Sequence, residues 1–473
     1  MSRAKGLFWF RRDLRLEDNI GLKKARDQVD HLYAVFIVDP HHADWSHSCG
    51  DRFAFKMKAV EELREKIRSA GGELYLRRGE QATELSRLQR RLGVDYLFYN
   101  NCYEPYERRR DRAVNSKLQS AGVKIKTYKD QVFHEKKEIL TGKKTSYRVF
   151  GYYKKKWKSE GKEQPAPTVQ KFEKDPAVEA GEIPTAETVG LERRLDSTGE
   201  DLHREASLLL DEFLEGGLLT YHKTRDYPAR RGTSRLSAYL RFGILSPRKI
   251  YYAAREAREN NPDLEGPETF IEELIWRDFY HQLLFNFPEV AENNLKTKYD
   301  SLNWEENSQW LAAWKEGRTG YPLVDAAMRQ LNRTGWMHNR LRMISAMFLT
   351  KDLFIHWKEG EKYFMNCLLD GDTAANNGGW QWSASTGADA APYFRIFNPV
   401  TQSEKYDPEG EFIRNYCPEL AGLDSETIHA PFAATEEELA SAGVKLGENY
   451  PRPIVDHSRR RAVAQERFEQ LQD

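Results

Sequence analysis

From Asp370 the chain reads Asp370-Gly-Asp372-Thr-Ala-Ala-Asn376-Asn377-Gly-Gly-Trp380-Gln-Trp382. Two aspartates, two asparagines, two adjacent glycines and two tryptophans within thirteen residues exceed what a globular core needs. Carboxylates and amides are fixed hydrogen-bonding groups. Adjacent glycines admit a ligand close to the backbone, and indole rings offer planes for stacking. Together these groups describe a pocket for a flat heterocycle with polar edges. The plainer alternative is an Asn/Gly loop capped by buried tryptophans.

Three further stretches carry residue types of the same kind. In Glu273-Leu-Ile-Trp276-Arg277-Asp-Phe-Tyr280, helical spacing puts Glu273, Trp276, Arg277 and Tyr280 on one stripe, an acid–aromatic–base face. In Gly335-Trp336-Met337-His338-Asn339-Arg340-Leu341-Arg342-Met343, residues Asn339, Arg342 and Met343 share a face. An amide there suits a base edge, and a thioether suits a ring face. His338 reads as a structural hydrogen-bonding residue. Tyr221 to Asp226, followed by Gly232-Thr233-Ser234-Arg235-Leu236-Ser237, offers hydroxyls and a helix start at which Thr233 or Ser234 is the expected cap. Free N–H groups at that start favour an anionic phosphate. The three stretches and the Asp370 run together point to a bound flavin beside a cavity for a base.

The elements that must position these groups fall into two regions, as 473 residues predict. Gly6–Phe10, Leu32–Asp39, Glu73–Arg77, Asp95–Tyr99 and Lys124–Tyr128 read as strands, alternating with helices over Phe53–Ala70, Gln81–Leu92 and Glu107–Ala121. The alternation predicts an α/β domain over 1–132 with a parallel, Rossmann-like sheet. No G-x-G-x-x-G follows the first strand, which excludes a standard dinucleotide site.

Residues 133–200 read as a surface connection between domains. Lys136–Lys162 holds ten basic residues against two acidic ones, interleaved with Tyr147, Phe150, Tyr152, Tyr153 and Trp157. A solvated face is the expectation there, with nucleic acid as the other reading. Residues 201–473 are helical in pattern throughout, with helices over Pro322–Thr334, His338–Trp357 and Lys362–Leu369 among them.

Lys+Arg and Asp+Glu both number 73, so a polyanion would have to be held by a local patch. No apolar run reaches membrane-spanning length, and no signal peptide opens the chain. Cys49, Cys102, Cys367 and Cys417 lack paired spacing, which fits a reducing cytoplasm rather than a disulfide framework or a zinc site. No metal site and no nucleophilic triad is visible.

The motifs resemble those of the photolyase/cryptochrome family, most closely bacterial class I cyclobutane pyrimidine dimer photolyases. The likeness runs from Phe8-Trp9-Phe10-Arg11-Arg12-Asp13-Leu14-Arg15 to Pro453 and is densest in Gly232–Ser237, Glu273–Arg277, Thr319–Met343 and Asp370–Pro399. It implies an all-helical FAD-binding C-terminal domain and light-driven repair of cyclobutane dimers in UV-damaged DNA, by a monomer with no membrane partner. A cryptochrome photoreceptor without repair activity is the alternative.

The resemblance also assigns residues. Tyr221, Thr233, Ser234, Leu236 and Ser237 would meet the phosphate and ribityl groups of FAD, and Arg277, Asn339, Asp370, Asp372 and Asn376 the flavin. Asn376 is the residue facing flavin N5. Trp304, Trp357 and Trp380 would relay electrons. Glu273, Trp276, Asn339, Met343 and Trp382 would receive the dimer, with Arg225, Arg340, Arg342 and Arg395 on the DNA. Met343 stands where (6–4) photolyases carry histidine. Glu107 matches a residue that binds methenyltetrahydrofolate, the antenna chromophore so implied. Tyr106 replaces the family's asparagine beside it, which leaves a deazaflavin, another chromophore or an empty site open.

Overall fold

The computed structural model describes residues 4–39 and 49–471. The chain forms two compact units: Met1–Leu219 with Ser234–Pro288, and Thr220–Thr233 with Glu289–Asp473.

The first unit is built on five parallel strands, β1 (Lys5–Phe10), β2 (His31–Val38), β3 (Leu74–Arg78), β4 (Tyr96–Asn100) and β5 (Lys124–Tyr128), in the order β3-β2-β1-β4-β5. Leu7 stands opposite Tyr33 on one side and Leu97 on the other. β1 and β2 are apolar along their length because helices cover both faces of a parallel sheet. β5, at the edge, is mostly exposed. The sequence located every strand end to within about one residue. It did not anticipate the short crossover helix Ile20–Gln28, which Asn19 caps by accepting from Leu22 N at 3.1 Å.

A buried ionic lattice joins the loops of this unit. Asp130 accepts from Arg15 at 2.7 Å and from Arg248 at 2.7 Å, and Arg248 also donates to Asp18 at 3.0 Å. Burial alone would raise the Asp130 carboxyl; the two guanidinium groups outweigh it and hold the group below its usual range.

The connection is packed rather than loosely solvated. Phe150–Ser159 is a helix that buries Phe150, Tyr153 and Trp157, spaced i, i+3 and i+7, while its lysines point outward. Further on, Val169, Phe172, Val178 and Ala186 are buried against the same unit. The anchor is Asp278 on the long Gly266–Asn286 helix. Its carboxylate accepts from Trp157 Nε1 at 2.9 Å, Phe133 N at 2.9 Å and His134 N at 3.3 Å.

The second unit is helical. Its core gathers Trp314, Met328, Leu341, Trp357, Phe364 and Trp380. Buried Asp325 closes the start of the Pro322–Thr334 helix, accepting from Thr319 N and Oγ1, both at 2.6 Å, and from the Tyr450 hydroxyl at 2.7 Å.

One expectation is corrected by the structure. His338–Trp357 is not one helix: Asn339–Met347 runs into a wide turn, Phe348–Asp352, and a new helix, Trp357–Cys367, follows. The break has local causes. Lys351 turns inward to Ser385 Oγ at 2.9 Å, Phe354 adopts φ +53°, and His356 caps the new helix by accepting from Lys358 N. Apolar periodicity continues through the break and hides it. The Asp370–Trp382 run forms the helix Thr373–Ser383, nucleated by its Asp372 cap, so the plainer alternative of an Asn/Gly loop does not hold.

Among the described residues, no helix is long and apolar enough to cross a membrane, and no group of three or more His, Cys, Asp or Glu side chains could hold a metal ion.

Asp278→Ala strands three buried donors and should lower stability by about 3 kcal/mol or more. Asp278→Asn, which keeps an acceptor, should cost less. Urea denaturation of the two variants checks this, and equal losses would count against the anchoring role.

Candidate functional site

The Thr373–Ser383 helix has two unlike faces. Its inner face holds Ala374, Asn377, Trp380 and Gln381, all buried. Gln381 Nε2 donates to Val290 O at 3.0 Å and Asn293 O at 3.2 Å, and Asn377 Nδ2 to Val290 O at 2.9 Å. These amides clamp the helix from behind. Asn376, Gly379 and Trp382 lie on the opposite face, each part-exposed. Nothing stands within 4 Å of a Cβ placed on Gly379.

At the helix start, Asp372 accepts from Ala374 N and Ala375 N at 3.0 and 3.1 Å. Arg342 holds Asp370 at 2.8 Å through one carboxylate oxygen and is itself fixed on Met337 O at 2.8 Å. The other oxygen, Asp370 Oδ1, is buried without a hydrogen-bond partner. Asn376 Nδ2 donates to Glu361 O at 3.0 Å, and Asn377 also donates to the Glu361 carboxylate at 2.9 Å.

His338 caps the Asn339–Met347 helix by accepting from Arg340 N at 3.1 Å, the structural role its sequence context predicts. Asn339 is exposed and Met343 part-exposed, with Asn339 Nδ2 4.0 Å from Met343 Sδ. Arg340 pairs with Asp226 at 2.8 Å and lies over the Tyr406 ring. Arg395 is exposed, and Arg225 covers the Tyr221 ring at 5.5 Å.

The tryptophans are graded in burial. Trp380 and Trp357 are enclosed, and Trp304 is part-exposed. Trp380 packs against Phe364 at 4.9 Å and so tightly on Gly360 that no Cβ fits there. Trp357 donates to Asn294 at 2.8 Å. His356 lies between Trp357 and Trp304, its ring 5.6 Å from the first and 5.3 Å from the second.

In the first unit, the Gly266–Asn286 helix buries Ile271, Leu274, Ile275, Asp278 and Phe279 and leaves Glu273, Trp276, Arg277 and Tyr280 part-exposed. That is the stripe the spacing predicts. Arg277 donates to Gln131 O. Phe150 lies parallel to Trp276 with ring centroids 3.6 Å apart, backing one indole face.

The Gly232–Ser237 stretch departs from its expected form. The helix begins at Ser237, with Leu236 in the cap position and no side-chain cap. Arg235 at φ +54° turns the chain, so the Thr233 and Ser234 hydroxyls are displaced from the capping role. Ser234 Oγ instead accepts from Leu236 N at 3.5 Å. Glu107 is 1% exposed and pairs with Arg12 at 2.9 Å, and the Tyr106 hydroxyl donates to Asp39.

Sequence reasoning missed Phe150 as the partner of Trp276, and Asp278, Asn377 and Glu361 as clamps. For Asn377 a signal existed: adjacent helical residues face about 100° apart, so Asn377 points away from the face that Asn376 occupies.

Burial pushes the Glu361 carboxyl up to about 7, opposed by its bond from Asn377. A folded-state value above the unfolded one gives stability that is full below the unfolded pKa and lost as pH rises through about 7. Glu361→Gln should flatten that loss, so its melting temperature and the parent's should converge at acid pH and separate above neutrality. Parallel melting curves from pH 5 to 8.5 would remove Glu361 from the titration.

The family model described as DNA photolyase matches residues 6–171, and the one described as FAD binding domain of DNA photolyase matches residues 270–470. A deoxyribodipyrimidine photo-lyase of Halobacterium salinarum is 39% identical, covering 98% of each chain. A bacterial class III photolyase from Agrobacterium tumefaciens superposes with a TM-score of 0.90 at 34% identity, covering 100% of this chain and 98% of its own. A cryptochrome from Synechocystis gives a TM-score of 0.89 at 28% identity over 98% of this chain and 100% of its own. The chain belongs to the DNA photolyase family, and its C-terminal region is that family's FAD binding domain.

Proposed function

We propose that the chain is a light-driven lyase that splits cyclobutane pyrimidine dimers in UV-damaged DNA. The observation that carries the reading is the near full-length likeness to a deoxyribodipyrimidine photo-lyase. Likeness in fold to a cryptochrome does not weigh against it, because a shared fold hosts different functions.

The residues present fit FAD. Asp370 Oδ1 is a buried acceptor without a donor, the complement of a ring imide N–H. Asn376 and Asp372 stand on or beside an uncovered helix face, with Gly379 leaving room for a ring. Asn339 and Arg277 complete the flavin contacts; Tyr221, Thr233, Ser234, Leu236 and Ser237 serve the phosphate and ribityl groups. When bound in reduced form under blue light, FAD supplies the electron that opens the cyclobutane ring and takes it back.

The protein's own groups bind, orient and shield. The target bonds lie inside the base stack, so the lesion is flipped out, most cheaply where pairing is already damaged. Glu273 offers a hydrogen bond to the pyrimidine. Trp276 and Trp382 provide stacking planes, and Phe150 stiffens the first of these from behind. Met343 and Asn339 supply an adaptable thioether and a base-reading amide. Arg225, Arg340, Arg342 and Arg395 serve the DNA backbone, Arg340 while paired with Asp226 and Arg342 while also fixing Asp370. Trp304, Trp357 and Trp380 form the electron relay, consistent with their graded burial.

By function the chain divides into an antenna region at 1–132, a connection at 133–200 and a catalytic region at 201–473. Glu107 and methenyltetrahydrofolate belong to the antenna reading. The protein acts as a monomer in the cytoplasm, and its four buried free thiols suit a reducing compartment.

The test is to reduce the FAD-loaded protein anaerobically, add DNA bearing thymine dimers, and count surviving dimers under blue light against a dark control. Light-dependent loss is expected. No loss with flavin and DNA both bound would move the reading to a photoreceptor. In the same assay Glu273→Ala should lower repair yield with flavin still bound; an unchanged yield would remove its role.

Trp304→Phe should block photoreduction of the oxidised flavin while sparing repair by chemically reduced enzyme. Loss of both would mean that Trp304 supports structure rather than electron relay.

A further inference from the structure

The basic–aromatic segment that sequence analysis singled out forms a site of its own. An open groove of about 650 Å³ in the first unit is lined by Lys137, Leu140, Thr141, Lys144, Thr145, Ser146, Tyr147, Arg148, Val149 and Tyr152, with Asn286 and Phe287. No carboxylate lines it. Lys137, Lys144 and Arg148 are exposed, and among the described residues none of the three makes an ion pair. Lys154, Lys156 and Lys158 differ in this respect, being paired with Glu272, Glu160 and Glu268. Unpaired cations at a groove wall are what a polyanion requires.

The loop that carries the charges is held by its own hydrogen bonds. Thr141 N donates to Thr145 O at 2.9 Å, their hydroxyls meet at 2.8 Å, and Lys144 N donates to Thr141 O at 2.8 Å with Lys144 at φ +59°. Arg148 is steadied over the Phe287 ring at 4.6 Å. Tyr152 is 69% exposed and Val149 42%. An exposed tyrosine beside three cations and several hydroxyls suits a nucleic-acid strand better than an acidic peptide.

The groove adjoins the stacking platform at two points. Phe150, which follows Val149, backs Trp276. Asn286 ends the same helix that presents Glu273 and Trp276. At 1.5 Å per residue, Asn286 lies about 15 Å along the helix axis from Trp276, a distance that a few nucleotides of one strand can bridge.

We propose that this groove binds the DNA backbone a few phosphates from the flipped dimer and sets affinity rather than lesion recognition. The inference rests on the repair reading above. The probe is duplex DNA with one thymine dimer, titrated at several salt concentrations against FAD-loaded protein and its Lys137→Gln/Lys144→Gln/Arg148→Gln variant. The variant should bind on the order of tenfold more weakly at low salt, with a log–log salt slope shallower by about two to three. Dimer-free duplex should lose affinity by the same factor. Repair of a dinucleotide dimer, too short to reach the groove, should stay within about twofold of the parent. Replacing the phosphates within a few positions of the dimer by methylphosphonates should abolish the difference between the two proteins.

An unchanged affinity and slope would overturn the proposal. So would an equal loss on the dinucleotide, which would place the effect at the platform. Failure of the parent to repair either substrate would sink the repair reading instead, while the DNA-binding comparison would still judge the groove.

Discussion

A helix that offers polar groups to a ligand must be held by its other face, and this constraint governs both halves of the chemistry. Uncovered amides and carboxylates are hydrated and mobile unless the backbone beneath them is fixed. Asp278 fixes the Gly266–Asn286 helix by gathering an indole N–H and two backbone N–H groups. Gln381 and Asn377 fix the Thr373–Ser383 helix by reaching backbone carbonyls of Val290 and Asn293. In both cases the clamp is a buried polar side chain facing away from the ligand side, so it adds rigidity without competing for the ligand.

The same economy appears in the aromatic residues. Trp276 is braced by Phe150, Trp380 by Gly360 and Phe364, and Trp357 by its bond to Asn294. Each indole therefore has its orientation set by packing, the property that stacking and electron relay both need. Arg342 belongs to this scheme as well. Its guanidinium holds Asp370 and so sets the orientation of that carboxylate.

Zero net charge is compatible with a DNA-binding protein because charge is sorted locally. The Phe150–Ser159 helix pairs several of its lysines with glutamates, whereas the neighbouring Thr141–Arg148 stretch leaves its cations available. A formal sum over the chain cannot register that difference, since pairing depends on which side chains the fold brings within reach.

What the sequence determined by itself is what short-range periodicity and residue chemistry can encode. The five strands and the acid–aromatic–base stripe follow from spacing alone, because alternation and helical repeat act over a few residues. Tertiary structure decided the rest. Lys351 turning inward and Phe354 at positive φ break a helix whose apolar pattern runs on without interruption. Asn376 and Asn377, adjacent in sequence, are separated into a part-exposed group and a buried clamp by the surface the helix packs against. Phe150 and Trp276 become one stacked pair only because Asp278 draws the connecting segment onto its helix. Contacts between residues more than a hundred positions apart leave no local trace, so only the folded chain could assign them.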